Sequence, residues 1–499
     1  MLLRELSPFE QYFFYRCYSH LHSCIYHSIT LNKLPTRHQL HATLRKLLQT
    51  HPELHYNIVL RDDNKPYMNN IITDSPILFN DIVEYKESWT ELGESQTNYI
   101  FQTYYFDFTQ ETKPLWKILV IPQANQLVLL LSHAMYDGMS SVKVWSSFMS
   151  CLQEVASMGS IATDSKLDPV VFYQAEGEEE GTRTNDHPYT RWPIPIRWKV
   201  KRQIVSWLFR VSPRSILAPD PNLLQFEGYR FPEGFLSDEV APRDKCSRRY
   251  KVRNDNVQHI LQLTPDQLRS VRTQCKAHKV SLTSFIVSLF ALSLKTVIIN
   301  NDNNSGSHIK VDIPMDTRAK CEASLPDVSL EELQLGNFIA GIEYTDDIAK
   351  YSLEDDEVIW QVAQSVQAKI GEARTSKLDD IVNNVKLLEV VNDVTQFVDQ
   401  KVDVSTGTGP SGTFEVTNLG YVDYGGHCSE SSSSPSEFYV RDAQWNEPQG
   451  FSNIFTCCVL STPLGGLNCS ISVPRGIATE FGSVLENVRK LLRGCEVSV

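Results

Sequence analysis

One short segment holds the residue types that proton-transfer chemistry needs: Ser132-His133-Ala134-Met135-Tyr136-Asp137-Gly138. An alcohol or amine that attacks a thioester must lose a proton as the new bond forms. Imidazole is the side chain best poised to take that proton near neutral pH. A carboxylate four residues on, past a turn, can fold back beneath the ring. Gly138 tolerates the backbone that such a turn can demand. The bare spacing is a modest signal, since a chain with 13 histidines and 60 acidic residues meets it by chance. The bland alternative is a histidine that only caps a strand.

A base of this kind belongs at the end of a rigid strand. Leu127 to Leu131 (LVLLL) is apolar on both faces and predicts a buried central strand that delivers His133 and Asp137. Its partner is Leu115 to Ile121, across the polar turn Gln123-Ala124-Asn125-Gln126, and a helix follows over Ser140 to Val155. Upstream, Ser7-Pro8-Phe9-Glu10 fits a capping box that opens a helix at about Pro8. Cys24 to Leu31 alternates as a strand. Thr36 to Thr50 carries Leu40, Leu44, Leu47 and Leu48 at helical spacing and ends at His51-Pro52, and Tyr56 to Leu60 is the next strand.

The second half repeats this mixture. Thr264-Pro265-Asp266-Gln267 opens a helix to Ala277, and Ser281 to Ile299 reads as a buried helix. His308 to Pro314 is a strand and Val358 to Arg374 a helix. Ser405 to Ser411 reads as a glycine, serine and threonine-rich link into the strand Thr413 to Asn418. Phe455 to Leu460 and Leu467 to Val473 form a hairpin around Pro463-Leu464-Gly465-Gly466, and a helix covers Ala478 to Leu492. Gly159 to Pro188, with Glu178-Glu179-Glu180, reads as an exposed linker, and Cys428 to Glu437 as a low-complexity hairpin tip. The fold class is α/β (α+β), and 499 residues imply at least two domains.

Composition narrows the function. A net charge of -13 repels nucleic acid. The eleven cysteines form no zinc-type spacing and suit reduced thiols in the cytosol. No GxSxG elbow, GxGxxG, P-loop or HExxH is present, so serine hydrolysis, NAD, ATP and metal chemistry find no signature. The first residues lack a signal-peptide pattern. The most apolar window, Phe285 to Leu294, is too short to span a bilayer, and Lys295 closes it. The expectation is a cytoplasmic monomer. The sequons at Asn303 and Asn468 read as chance matches.

Further segments carry a resemblance. Phe106-Asp107-Phe108 and Pro114-Leu115-Trp116-Lys117 resemble the approach to HHxxxDG in condensation and acyltransferase domains. Val311-Asp312-Ile313-Pro314-Met315-Asp316-Thr317-Arg318, then Leu325-Pro326 and Gly336-Asn337-Phe338, look like the second-half pattern of plant BAHD acyltransferases and fungal alcohol acetyltransferases. Thr417-Asn418-Leu419-Gly420 resembles their Ser-Asn-x-Gly strand end, and Phe455 to Val473 also looks like the fungal family. Each motif is weak alone; their order carries the resemblance from near the N-terminus to the last hairpin. The single histidine after Ser132 and the missing DFGWG element favour the fungal branch over the plant one.

The resemblance implies two chloramphenicol acetyltransferase-like domains, each a mixed sheet flanked by helices, meeting at a channel with the histidine midway. The boundaries would be 1–190, a crossover at 191–250, and 251–499. It implies His133 as base, Asp137 as a structural partner of Arg318, and acetyl-CoA as co-substrate with no bound cofactor or metal. Asn337 would fix a loop, and Gly138 would be a conformational requirement. Thr417 could support the oxyanion, or could merely end a strand with Asn418 holding a turn. The leading reaction is O-acetylation of a hydrophobic alcohol. The alternatives are N-acetylation of a lipophilic amine such as a sphingoid base or toxin, hydrolysis with water as acceptor, and a non-catalytic binding relative. Arg191 to Arg214 mixes cations with Trp198, Trp207, Leu208 and Phe209. It reads either as a surface for an anionic membrane, such as endoplasmic reticulum or lipid droplets, or as a crossover packing its tryptophans between domains.

Overall fold

The computed structural model describes residues 2–72, 75–158, 166–173, 186–226, 229, 231, 236, 248–299, 306–375, 378–391, 393–425 and 436–495. The acidic run Glu178-Glu179-Glu180, residues 428–435 of the low-complexity segment and the Asn303 sequon lie outside them.

The first half gives four strands to its largest sheet: β1 (Ile25–Leu31), β2 (Val83–Tyr85), β3 (Trp116–Ile121) and β4 (Gln126–Leu131). The second half adds β5 (Asn256–Leu263), β6 (His308–Asp316), β7 (Ile339–Asp347), β8 (Gly412–Tyr421), β9 (Val440–Asn446), β10 (Asn453–Thr462) and β11 (Gly466–Pro474). β3 and β4 pair antiparallel, with Trp116 opposite Leu131. Every residue of β4 is buried, as an apolar run without alternation requires. Helix α1 (Pro8–Tyr18) starts at the Ser7–Glu10 capping box, and α2 (Arg37–Thr50) at one between Thr36 and Gln39. α2 buries Leu40, Leu44, Leu47 and Leu48 and packs on α3 (Gly138–Ser157), the helix that follows His133.

The first sheet runs β9-β1-β4-β3-β2, and the second β5-β11-β10-β8-β6-β7. β9 is the departure from the expected boundaries. It lies in the second half of the sequence yet pairs with β1, Asn446 opposite Tyr26. Trp445 Nε1 then donates to Val459 O on β10, so one strand ties both sheets. Asn468 is buried beside it, donating to Asp442 and Ala443, which closes that sequon to any glycan. The first core likewise mixes Ile29, Leu129 and Trp145 with Val398, Tyr424 and Phe438.

Helices α4 (Ile196–Val211), α5 (Pro265–Ala277) and α6 (Leu282–Leu294) follow, then α7 (Val394–Thr408) and α8 (Ala478–Gly494). A π turn extends α6 to Ile299. This 18-residue stretch is long and apolar enough to cross a bilayer, but 72% of it is buried inside the protein. Residues 405–408, expected as a link, are the last turn of α7. Val394, Val398 and Val402 bury one face of that helix, and tertiary packing overrides the weak propensities of its end. Gly409, at φ +85°, stops it.

Candidate active site

Asp137 is the N-cap of α3, and its Oδ1 accepts from Ser140 N at 2.8 Å and Ser140 Oγ at 2.9 Å. The same carboxylate meets Arg318 bidentately: Nη1 to Oδ2 at 2.9 Å and Nη2 to Oδ1 at 3.0 Å. Phe338 N donates to Oδ2 at 2.9 Å. Both charges are buried, at 0% and 2% side-chain exposure, so each needs the other. Burial alone would raise Asp137. Arg318, with the Phe338 and Ser140 amides, outweighs it and holds the carboxyl below its ordinary value. Arg318 also donates to Asp316, to Leu333 O and to Gly336 O. Its guanidinium carbon sits 4.6 Å from the Phe338 ring centroid.

Gly336-Asn337-Phe338 thus closes the first half onto the second. Gly336 O accepts from Asp137 N, Ser140 Oγ and Arg318. Asn337 Nδ2 donates to His133 O at 2.8 Å, fixing the loop that carries the imidazole. Gly138 has an ordinary backbone and sits in close quarters: a Cβ there would stand 2.7 Å from Leu419 Cδ2, with the Trp445 ring at 3.3 Å, so Leu419 would have to shift.

His133 Nδ1 lies 2.9 Å from Tyr136 O. A carbonyl only accepts, so Nδ1 carries the proton and Nε2 keeps its lone pair. Burial lowers this imidazole to about 4; His22 and Arg16 push the same way, and Glu447 and the Tyr136 carbonyl oppose them. The ring is neutral at ordinary pH and able to accept a proton. It packs against Phe13 and His22, with centroids 4.7 and 5.2 Å away. A cavity of about 570 Å³ reaches Ala134, Met135, Asn337 and Phe338. The imidazole itself does not line it.

Sequence reasoning missed the polar groups on this side. His22 is buried, and neither ring nitrogen has a hydrogen-bond partner; its Nε2 is 3.9 Å from Glu447 Oε2. Arg16 Nε is likewise buried without a partner, as is Asn337 Oδ1. Burial, before any neighbour, raises Glu447, Glu415 on β8 and Asp312 on β6. Arg16 opposes the rise at both glutamates. A second imidazole, that of His22, reaches His133 from the turn before β1. No local spacing announces it, because His22 and His133 meet only through tertiary packing.

Along β8, Phe414 and Val416 belong to the second core. Alternation turns Thr417 to the other face with Glu415 and Leu419, the face of the acidic groups. Asn418 donates to Thr283 Oγ1 at 3.0 Å and accepts from Gly420 N at 2.8 Å, so it pins the strand end. Among the described residues, no three histidines, cysteines or carboxylates stand together as a metal site.

A family model described as alcohol acetyltransferase matches residues 5–493. The chain belongs to the alcohol acetyltransferase family. It is an acyltransferase, and the family's chemistry implies an acyl-CoA co-substrate. The N-acetyltransferase SLI1 of Saccharomyces cerevisiae is 38% identical over 471 residues, covering 94% of this chain and 95% of that protein. Among solved structures, the first condensation domain of the calcium-dependent antibiotic synthetase has a TM-score of 0.61 at 11% identity, covering 100% of this chain and 97% of that one. A trichothecene 15-O-acetyltransferase from Fusarium sporotrichioides has a TM-score of 0.58 at 9% identity, covering 99% and 94%. These likenesses carry the two-lobed fold.

Proposed function

We propose that this family member transfers an acetyl group from acetyl-CoA to the primary amine of a lipophilic acceptor, in a ternary complex with no acyl-enzyme. One observation carries the choice: the bare His133 Nε2 shares its burial with Glu447, a carboxyl raised by burial and countered by few cations. An ammonium group is the ligand such a carboxyl favours, since a cation restores the charge that burial suppresses. Glu447 takes the first proton, leaving a neutral amine, and gives it up to solvent before the next turnover. The nitrogen then attacks the thioester carbon; the C–N bond forms, and His133 Nε2 takes the N–H proton. The C–S bond breaks, and the departing thiolate regains that proton from His133. Thr417 supports the oxyanion from the facing strand, worth about 3 kcal/mol if well aimed. The N-acetyltransferase relative supports the amine. A recess lined by Arg269, Arg272 and Lys276 beside Tyr421, at the end of β8, suits the phosphates of coenzyme A.

The second reading is ester formation on a hydrophobic alcohol, favoured by the description of the matching family. It uses the same base and needs no cation partner. Thiol release from acetyl-CoA distinguishes them, with a long-chain sphingoid base, a branched C5 alcohol and no acceptor in parallel. Release with the amine supports the proposal. Release confined to the alcohol replaces it with ester formation, and acceptor-independent release makes the protein a thioesterase.

A further inference from the structure

Helix α4 presents two opposite faces. Trp198 is buried, and its Nε1 donates to Asp380 at 2.7 Å. Arg202 donates to Glu389 at 2.8 Å and to Lys386 O at 3.3 Å. This face fastens the helix to the protein, as the crossover reading of the sequence expects. The other face is apolar and exposed. Ile196, Val200, Ile204, Trp207 and Val211 are 76%, 55%, 52%, 62% and 62% exposed. At roughly 100° per residue they share a stripe about 80° wide. A soluble surface normally turns such a stripe inward.

The charges beside the stripe say what covers it. Lys199 and Arg210 border one edge, and Lys201 and Arg197, the latter paired with Asp380, the other; all four are exposed. From His187 to Pro219 the chain has no acidic residue, in a protein whose net charge is -13. A second copy of this acidic chain would meet the cations but has no reason to accept the apolar stripe between them. An anionic bilayer offers both: headgroup charge at the edges and acyl chains at the centre. Trp207 in mid-stripe is the side chain that prefers that boundary.

We propose that α4 docks this enzyme on an anionic lipid surface, lying in the plane of the interface. Arg191, five residues before the helix, lines the 570 Å³ cavity with His187 and Pro188. Docking therefore holds the membrane, where lipophilic acceptors dissolve, five residues along the chain from that cavity. The inference does not depend on whether the acceptor is an amine or an alcohol.

The test is flotation of the full-length protein with vesicles of phosphatidylcholine containing about 30% phosphatidylserine, and with phosphatidylcholine alone. The wild type floats with the anionic vesicles and stays behind with the neutral ones. Lys199→Glu/Lys201→Glu lowers the bound fraction at least about tenfold, since each cation near an anionic surface adds about fivefold to partitioning. Val200→Ser/Ile204→Ser/Trp207→Ser lowers it comparably. Both variants keep the wild-type melting curve and the wild-type thiol release with a water-soluble acceptor, because none of the changed residues touches the site. Wild-type levels of flotation by either variant overturn the proposal. So does a concentration-dependent dimer that the serine variant dissolves, with no flotation of wild type, which assigns the stripe to a second copy.

Discussion

Two buried polar clusters flank the loop from His133 to Asp137, and they differ in completeness. Around Asp137, the carboxylate accepts from Ser140, Arg318 and Phe338, and Arg318 has Asp316, Leu333 O and Gly336 O as well. Around His133, His22 and Arg16 leave buried nitrogens unpartnered, and the carboxyls of Glu447 and Glu415 are raised by burial. A satisfied network rigidifies; an unsatisfied one costs stability unless something else completes it. On the proposed reaction, the first cluster holds the loop and the second receives substrate.

The largest effect should come from the group shared by both readings of the reaction. His133→Ala should lower turnover by about 10³-fold, the usual weight of a positioned base, with an unchanged melting curve. Product formation followed by mass spectrometry is the measurement. Residual turnover within tenfold of wild type would remove the base assignment.

Next come changes that break the complete cluster. Arg318→Ala strands a buried carboxylate and should cost about 3–5 kcal/mol in denaturant unfolding. Asp137→Asn keeps the shape but leaves Arg318 without its counter-charge; activity should fall with stability, because the helix cap and the loop loosen together. Equal stability of Arg318→Ala and wild type would show that this cluster does not hold the halves together.

The incomplete cluster should respond in the opposite sense. Glu447→Gln removes a carboxyl that burial disfavours, so unfolding free energy should stay within about 1 kcal/mol of wild type. Amine kcat/KM should nevertheless fall by about tenfold or more, since charge-assisted contacts are worth roughly 1.5–3 kcal/mol. Alcohol turnover, if present, should be spared. A matched loss on both acceptors would make Glu447 a support for His133 and not an amine receptor.

The complete cluster was largely legible in the sequence. Asp137, Arg318 and Gly336-Asn337-Phe338 each sit in a motif whose order the chain preserves, and β4 and the capping boxes of α1 and α5 follow from local pattern. The incomplete cluster was not. His22 lies in a turn, Glu447 just past a strand that swaps sheets, and Arg16 on a helix face turned to the site. Nothing local distinguishes them from surface residues until β9 crosses to β1. The same crossing hid β9 itself, and α7 hid behind a glycine, serine and threonine-rich end.

The smallest effect is a displacement in pH, and it tests whether the two imidazoles and Glu447 act on one another. His133 is lowered to about 4 from an ordinary 6.5, with Glu447 opposing that fall. A base with a depressed pKa loses activity only when pH drops to that lower value. The acid limb of kcat/KM should therefore lie well below pH 6.5 in the free enzyme. Stability takes the same sign: the folded state prefers neutral His133, so its contribution is lost as pH falls below the unfolded value of about 6.5. Glu447→Gln removes a group that raises His133, so the acid limb should move further down. His22→Ala removes one that lowers it, and the limb should move up. Opposite displacements in the two variants would establish the electrostatic coupling, and an unmoved limb in both would place Glu447 and His22 outside the field of the catalytic imidazole.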